Sequence, residues 1–151
     1  MIEIALYQPD IAANAATVMR LAACLGATVA VIEPAGFTWS DASLKRAGMD
    51  YLDKTDLIRD SSWAAFRQRT QGRRLVLMTT KSALPYCDFR FAAGDVIVMG
   101  RESAGVPEEV HAAADARLLI PMRPGLRSIN VALACAMVTG EALRQLEAFP
   151  Q

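Results

Sequence analysis

Three loop-like stretches of this sequence combine hydroxyl, amide or charged side chains with glycine or proline. They are MTTKSALP (78–85), GRESAGVPEE (100–109) and IPMRPGLRSIN (120–130). Glycine allows a backbone to approach a ligand closely, and proline fixes the shape of a loop before the ligand arrives. A hydroxyl and an amide such as those of Ser128 and Asn130 can orient a reacting group. The three stretches therefore predict one ligand-binding site if the fold brings them together.

Each stretch also has a plainer structural interpretation. The glycines of Gly100-x-Glu102-x-x-Gly105 are typical turn formers. Ser128 is a suitable N-cap for a helix that follows it, and Asn130 near a helix start commonly bonds the local backbone. Because a capping residue can also contact a ligand, both interpretations of Ser128 stay open.

The charge of the chain leaves nucleic-acid binding undecided. Its 16 lysines and arginines balance 16 aspartates and glutamates, so the formal net charge is zero. Neutralisation of phosphates supplies much of the affinity of a nucleic-acid binder. Basic residues cluster only locally, at Lys45–Arg46, at Arg73–Arg74, and at Arg123 with Arg127.

Metal and disulfide chemistry find little support. His111 is the only histidine, and Cys24, Cys87 and Cys135 are odd in number and contain no CxxC pair. This pattern predicts reduced thiols, no metal site and no histidine-based triad.

Several other protein classes lack their defining sequences. No GxGxxG follows the first predicted strand, and there is neither a Walker A lysine loop nor a GxSxG elbow. Apolar runs are shorter than the roughly 20 residues of a membrane span. The start, MIEIALYQPD, lacks the basic and long apolar regions of a signal peptide, so we expect a cytoplasmic protein with no membrane partner.

The predicted secondary structure alternates strands with helices. Apolar, β-branched runs predict strands at 2–7, 27–34, 74–80, 95–100 and 117–121, with a minor strand starting at Tyr51–Leu52. Helical periodicity predicts helices at 14–25, 40–46, around 63–67 and at 128–145. Strands that are apolar along their whole length indicate a parallel sheet covered on both faces. We therefore expect one α/β domain over residues 1–151.

The last predicted helix is apolar almost all the way round. It carries no charge between Ser128 and Glu141, and it is rich in small residues. One sheet does not easily cover such a broad apolar face, which predicts a second subunit against it.

The loops occur in an order that resembles the SPOUT class of RNA methyltransferases, most closely the bacterial tRNA (cytidine/uridine) 2′-O-methyltransferases of the wobble nucleotide. The resemblance covers essentially the whole chain. The matching segments are LYQPDIAANAATVMRLA, IEPAGFTWSDASLKRAGMDY, LMTTK, MGRESAGVP and IPMRPGLRSIN.

The resemblance implies a C-terminal deep trefoil knot, an exception to the rule that chains do not thread their own loops. It also implies that the knotted loops bind S-adenosyl-L-methionine. The residues at the family's cofactor positions are Met78, Thr79, Gly100, Glu102, Ile120, Met122 and Ser128.

The resemblance further implies a homodimer built on the last helix and a substrate in the anticodon region of tRNA. Matching positions make Asn14, Arg20, Ser128 and Asn130 the predicted catalytic group. A guanidinium stays protonated in proteins, so we interpret Arg20 as an anchor for a flanking phosphate and not as a base. Ser128 and Asn130 would orient the ribose hydroxyl. Predicted RNA contacts are Arg123 and Arg127 beside the pocket, with Lys45 and Arg46 from the partner subunit.

The first loop departs from the family pattern Pro-x-Ile-Pro-x-Asn-Thr-Gly-Asn. Here residues 9–17 read PDIAANAAT, which keeps Asn14 but replaces a proline, a glycine and a second asparagine. Two alternatives to wobble methylation follow: an RNA- or nucleotide-binding module without turnover, and 2′-O-methylation at another RNA site. An unrelated small-molecule α/β enzyme is a third candidate, which the motif match disfavours.

Overall fold

The fold is a seven-stranded parallel sheet with helices on both faces, seen in a computed structural model that describes residues 1–46, 52–81 and 83–151. The strands are β1 (Glu3–Tyr7), β2 (Thr28–Ile32), β3 (Asp56–Asp60), β4 (Leu75–Met78), β5 (Leu84–Pro85), β6 (Val96–Met99) and β7 (Ala116–Leu119). The helices are α1 (Ala12–Leu25), α2 (Asp41–Arg46), α3 (Trp63–Arg69), α4 (Glu108–Ala113) and α5 (Val131–Gln145). Short 3₁₀ helices span Leu52–Lys54 and Tyr86–Asp88. The predicted α/β class and parallel sheet are confirmed.

Strand order places the carboxyl ends of three strands side by side. The order across the sheet is β3-β2-β1-β6-β4-β7-β5, and every neighbouring pair is parallel. β4 lies between β6 and β7, with Met78 in register with both Met99 and Leu118. The predicted trefoil knot stays a prediction, because strand order alone does not determine how a chain threads.

Alternating side chains of the strands build two apolar layers. On β1, Ile4 and Leu6 pack with α1 and α5, whereas Ala5 and Tyr7 pack on the opposite face with α3 and α4. Such double coverage is what makes these strands apolar at every position.

The first helix begins at Ala12, two residues earlier than predicted. Ala15 and Ala16, which stand in the altered first loop, lie within the predicted helix and are buried. The two residues added at the start, Ala12 and Ala13, are alanines, which favour helix over loop. Gly26 ends the helix in the left-handed conformation with φ 71°, as the sequence predicts.

The last helix begins later than predicted, at Val131, and Ser128 is not its N-cap. Asn130 takes that position, because its side-chain oxygen accepts hydrogen bonds from the backbone N–H groups of Ala132 (2.8 Å) and Leu133 (3.3 Å). The structure thus corrects the capping interpretation of Ser128.

The prediction of a minor strand starting at Tyr51–Leu52 is also wrong for Leu52, the one of the two residues that the structure describes. Tyr51 lies outside the described residues, and Leu52 begins a 3₁₀ helix. The edge strand is β3 instead, in the sequence DLIRD. Its charges hide it from a search for apolar runs, because an edge strand is covered less completely than an inner one.

A cluster of ion pairs links β1, β3 and the end of α3. Arg69 contacts Glu3 (2.6 Å) and Asp60 (2.9 Å), and Arg73 also pairs with Glu3. Burial raises the pKa of Glu3, but the hydrogen bonds and charges of both arginines outweigh it, so the pKa lies below its ordinary value. Arg74 pairs with Asp95 (2.7 Å). The Arg73–Arg74 pair is therefore compensated by carboxylates and not an open basic patch.

The described residues contain neither a helix suited to crossing a membrane nor a group of side chains placed to hold a metal ion. The three thiols are unpaired. Burial raises the pKa of Cys135 to about 12, so this thiol has no thiolate character at neutral pH.

Candidate active site

A cavity of about 710 Å³ opens where β4, β6 and β7 end. The three loops that the sequence singles out follow these strands, so they meet at one edge of the sheet. Every residue predicted to hold the cofactor lines the cavity: Met78, Thr79, Gly100, Glu102, Ile120, Met122 and Ser128. Asn14 and Asn130 also line it. The predicted convergence of the loops is confirmed, while the role of each residue stays a prediction.

The loop after β6 is closed upon itself. Arg101 and Gly105 exchange two backbone hydrogen bonds of 3.0 Å, and the Arg101 side chain donates to the Gly105 carbonyl as well. A Cβ atom at Gly100 would lie 3.0 Å from the backbone of Gly105. Glycine is therefore required at position 100 for the loop to approach so closely.

A chain of side-chain amides joins this loop to α1 and α5. Asn14 donates from Nδ2 to Glu102 (3.4 Å), and Asn130 donates from Nδ2 to the Asn14 oxygen (3.1 Å). Glu102 also accepts a 2.7 Å hydrogen bond from the backbone N–H of Asp10. These hydrogen bonds fix the separation between the loop after β6 and the start of α5.

The groups at the two ends of this chain of amides fix the direction of its hydrogen bonds. A carboxylate only accepts hydrogen bonds, and the free N–H groups at the start of α5 only donate them. Each asparagine must therefore turn its nitrogen toward Glu102 and its oxygen toward α5. As a result, the Asn130 oxygen is already used for capping, and Asn130 can offer a ligand only an N–H donor.

Asp10 is a site residue that the sequence analysis missed. Its carboxylate accepts hydrogen bonds from the backbone N–H (3.0 Å) and the hydroxyl (2.6 Å) of Ser103, which lower its pKa. Together with the bond from its own N–H to Glu102, these contacts clamp the first loop onto the loop after β6. No local pattern signals a pair so far apart in sequence.

The basic residues predicted to act in the site lie outside the cavity lining. Arg20 is exposed farther along α1 than Asn14, and Lys45 and Arg46 are exposed at the end of α2. Arg123 and Arg127 are exposed on the loop that carries Met122 and Ser128. The structure therefore brings together the cofactor set with Asn14, Ser128 and Asn130, but it does not bring Arg20 into the same pocket.

The two roles of Asn130 can be separated by substitution. Asn130→Asp keeps an oxygen for capping but removes the donor to Asn14, so we expect near-normal stability and a loss of activity of about ten-fold or more. Asn130→Ala should lose the same activity and also about 1 kcal/mol of stability. Urea unfolding and initial rates of the catalysed reaction check this. If Asn130→Asp retained full activity, the Asn14 contact would be irrelevant to catalysis.

Comparison with known proteins identifies the family to which this architecture belongs. Residues 1–140 match the SpoU rRNA Methylase family. The chain belongs to the SpoU methylase family. A SpoU relative from Beijerinckia indica subsp. indica, named tRNA (cytidine(34)-2′-O)-methyltransferase, is 61% identical over 147 residues, which cover 96% of this chain and 92% of the relative.

Two solved structures show the same SpoU architecture. One comes from work on the 2-OH methylation of C/U34 on tRNA; it has a TM-score of 0.92 and 41% identity, and the match covers 97% of each chain. The other is an AdoMet-bound rRNA methyltransferase from Sinorhizobium meliloti, with a TM-score of 0.85, 26% identity, and coverage of 96% of this chain and 56% of that one.

The cavity fits the cofactor that SpoU membership implies. Met78, Ile120 and Met122 offer an apolar lining for a nucleoside, and the absent side chain at Gly100 lets the loop after β6 close upon itself beside them. His111 also lines the cavity, and its Nε2 atom is buried without a hydrogen-bond partner among the described residues. A ligand with polar ring atoms suits such a wall.

Proposed function

We propose that this protein is an S-adenosyl-L-methionine-dependent tRNA 2′-O-methyltransferase that acts on the ribose of the wobble nucleotide, cytidine or uridine 34. The observation that carries the proposal is the single cavity that gathers all predicted cofactor residues beside Asn14, Ser128 and Asn130. The choice of target nucleotide is supported by the relative that is 61% identical and named for cytidine 34.

Bound S-adenosyl-L-methionine supplies a methyl group on a positively charged sulfur. The nucleoside part of the cofactor would be held by Met78, Gly100, Ile120 and Met122. Most of the rate acceleration would then come from positioning the methyl group against the ribose hydroxyl. The Glu102 carboxylate gives the cavity a negative charge beside the cationic cofactor. It also holds Asn14, and through it Asn130, in one orientation.

Asn130 and Ser128 divide the task of orienting the ribose hydroxyl. The Asn130 oxygen is occupied by the N–H groups of α5, so Asn130 would donate to the ribose and not accept from it. Ser128 makes no hydrogen bond within the described part of the chain, and its hydroxyl can accept. We therefore assign Ser128 the hydrogen bond that it accepts from the 2′-hydroxyl, which fixes the orientation of the attacking oxygen.

An RNA-binding surface for the proposed enzyme requires basic residues outside the cofactor cavity. Arg123 and Arg127 flank the cavity and would contact phosphates. Arg20, Lys45 and Arg46 are exposed outside it. A homodimer would supply the missing cations from the partner subunit. Because its substrate is tRNA, such an enzyme works in the cytoplasm.

The outer face of α5 supports that homodimer. Leu133 and Met137, one turn apart, are 60% and 40% exposed. Leu133→Glu should therefore convert a dimer into a monomer in multi-angle light scattering, because a charge in an apolar interface is costly. Ala64→Glu, exposed on α3 on the other side of the sheet, is the matched control and should stay dimeric. A dimeric Leu133→Glu variant would contradict this assignment of the interface.

The function is tested by incubating the protein with methyl-labelled cofactor and bulk tRNA and mapping the labelled nucleotide. Label on the 2′-oxygen of nucleotide 34 is the expected result. Label elsewhere would support the alternative of another RNA site. Cofactor binding without any label would support a binding module without turnover.

Arg20→Lys tests the phosphate-anchor role. A lysine keeps the charge but loses the planar, bidentate fork, so we expect kcat/KM for tRNA to fall about ten-fold with unchanged cofactor affinity. Arg67→Lys, exposed on α3, is the control and should leave kcat/KM unchanged. Near-normal turnover of Arg20→Lys would remove the anchor role.

A further inference from the structure

The single histidine of the chain has a feature that the proposed reaction does not use. His111 lies in α4 and lines the cavity, yet its Nε2 atom is buried and has no hydrogen-bond partner among the described residues. It is the one such atom found among buried side-chain nitrogens and oxygens in the described part of the chain. Buried polar atoms are normally satisfied, so an orphan atom on a residue that lines a ligand cavity points to a ligand atom.

The backbone around the imidazole is fixed from several sides. The neighbouring Val110 is buried, with 2% exposure. The backbone N–H of His111 donates to the Pro107 carbonyl (3.1 Å), and its carbonyl accepts from the Arg117 side chain (2.9 Å). The backbone that presents the imidazole to the cavity is therefore fixed before a ligand binds.

The surroundings select the kind of ligand atom. No carboxylate lies within ion-pair distance of the imidazole among the residues that the structure describes. Met78 and Val106, which share the cavity wall, are apolar. A buried charged group in such a place would be left without compensation, whereas an uncharged ring nitrogen, amine or hydroxyl needs only one hydrogen bond.

We propose that His111 is a cofactor-binding residue whose Nε2 hydrogen-bonds the adenosyl part of S-adenosyl-L-methionine. The inference rests on the proposed function only for the identity of the cofactor. The charged amino and carboxyl groups of the methionine part belong at the exposed side of the cavity, where Lys81 and Glu108 reach solvent.

The imidazole can be observed directly. Because His111 is the only histidine, every ring-nitrogen signal of a protein labelled with ¹⁵N-histidine and carrying no histidine tag belongs to it. Saturation with 5′-methylthioadenosine or with S-adenosylhomocysteine should shift the Nε2 signal, and methionine alone should leave it in place. An Nε2 signal that stays in place when calorimetry shows S-adenosylhomocysteine bound would overturn the proposal.

Variants test the same contact by affinity. His111→Phe should weaken 5′-methylthioadenosine and S-adenosylhomocysteine by the same factor, about three- to ten-fold, because the lost hydrogen bond lies in the shared adenosyl part. His111→Gln should recover part of the loss, and Glu109→Gln, exposed on the same helix outside the cavity lining, should bind as the unaltered protein does. A loss confined to S-adenosylhomocysteine would overturn the adenosyl assignment.

These measurements distinguish failure of the His111 contact from failure of the proposed reaction. An Nε2 shift in a protein that methylates no tRNA would uphold the His111 contact and remove the proposed substrate. Methylation of tRNA by a protein whose Nε2 signal does not shift would uphold the proposed reaction and overturn the His111 contact. Failure of the protein to bind any adenosyl compound would overturn both.

Discussion

Arg69→Met is expected to lower the free energy of unfolding by about 2–4 kcal/mol, because it strips a buried carboxylate of its partner. The Asp60 side chain is only 6% exposed, and among the described residues its ion pair is with Arg69. Glu3 is 5% exposed and pairs with both Arg69 and Arg73, so it loses one of its two partners as well. Urea unfolding at neutral pH measures the change. Arg67→Met, on the same helix but exposed, should change stability by less than about 1 kcal/mol.

The cost of Arg69→Met should shrink in acid. The pKa of Glu3 is lowered in the folded protein, so Glu3 contributes stability above its ordinary pKa of 4.5 and loses it as the pH falls through the folded value. Without Arg69 that pKa rises, and the variant has less to lose. Unfolding free energies of both proteins at about pH 7 and about pH 3 should therefore converge in acid. A difference that stayed constant would mean that Arg69 acts through packing and not through its charge.

Glu102→Ala should reduce kcat/KM for methyl transfer by about a hundred-fold or more, since it removes the acceptor that orients Asn14 and holds the Asp10 N–H. Glu102→Gln is the sharper test. An amide has one oxygen, so it can satisfy either Asp10 or Asn14 but must turn an N–H donor toward the other. We expect a loss of about ten-fold for this variant, which is nearly the same shape.

Initial rates with tRNA, together with cofactor affinity from calorimetry, distinguish the contributions of Glu102. Glu109→Gln makes the same charge change outside the cavity lining and should keep normal rates. If Glu102→Gln were as active as the unaltered protein, the direction of the amide chain would not matter and Glu102 would act only as a spacer.

Elements with local signals can be predicted from the sequence. Apolar β-branched runs identified β1, β2, β4, β6 and β7, and Gly26 correctly ended α1. These signals work because a strand or helix end depends on residues only a few positions apart. The same local reasoning found the three loops, and the resemblance added a cofactor and a reaction to them.

Where a local signal was ambiguous, the tertiary structure decided. Ser128 and Asn130 are both good capping residues, and only the backbone geometry shows that Asn130 caps α5. β3 gives no apolar run because an edge strand tolerates charges, and α1 begins two residues early because Ala12 and Ala13 favour helix.

Only the tertiary structure brought distant partners together. Asn130 meets Asn14 across 116 positions of the chain, and Ser103 meets Asp10 across 93. Arg73, which resembles a free basic residue in the sequence, is neutralised by Glu3, and the Nε2 atom of His111 is buried without a partner among the described residues. Sequence spacing carries no information on such contacts, because they depend on the order in which parallel strands are laid side by side. The order β6-β4-β7 sets the loops of this site against one another.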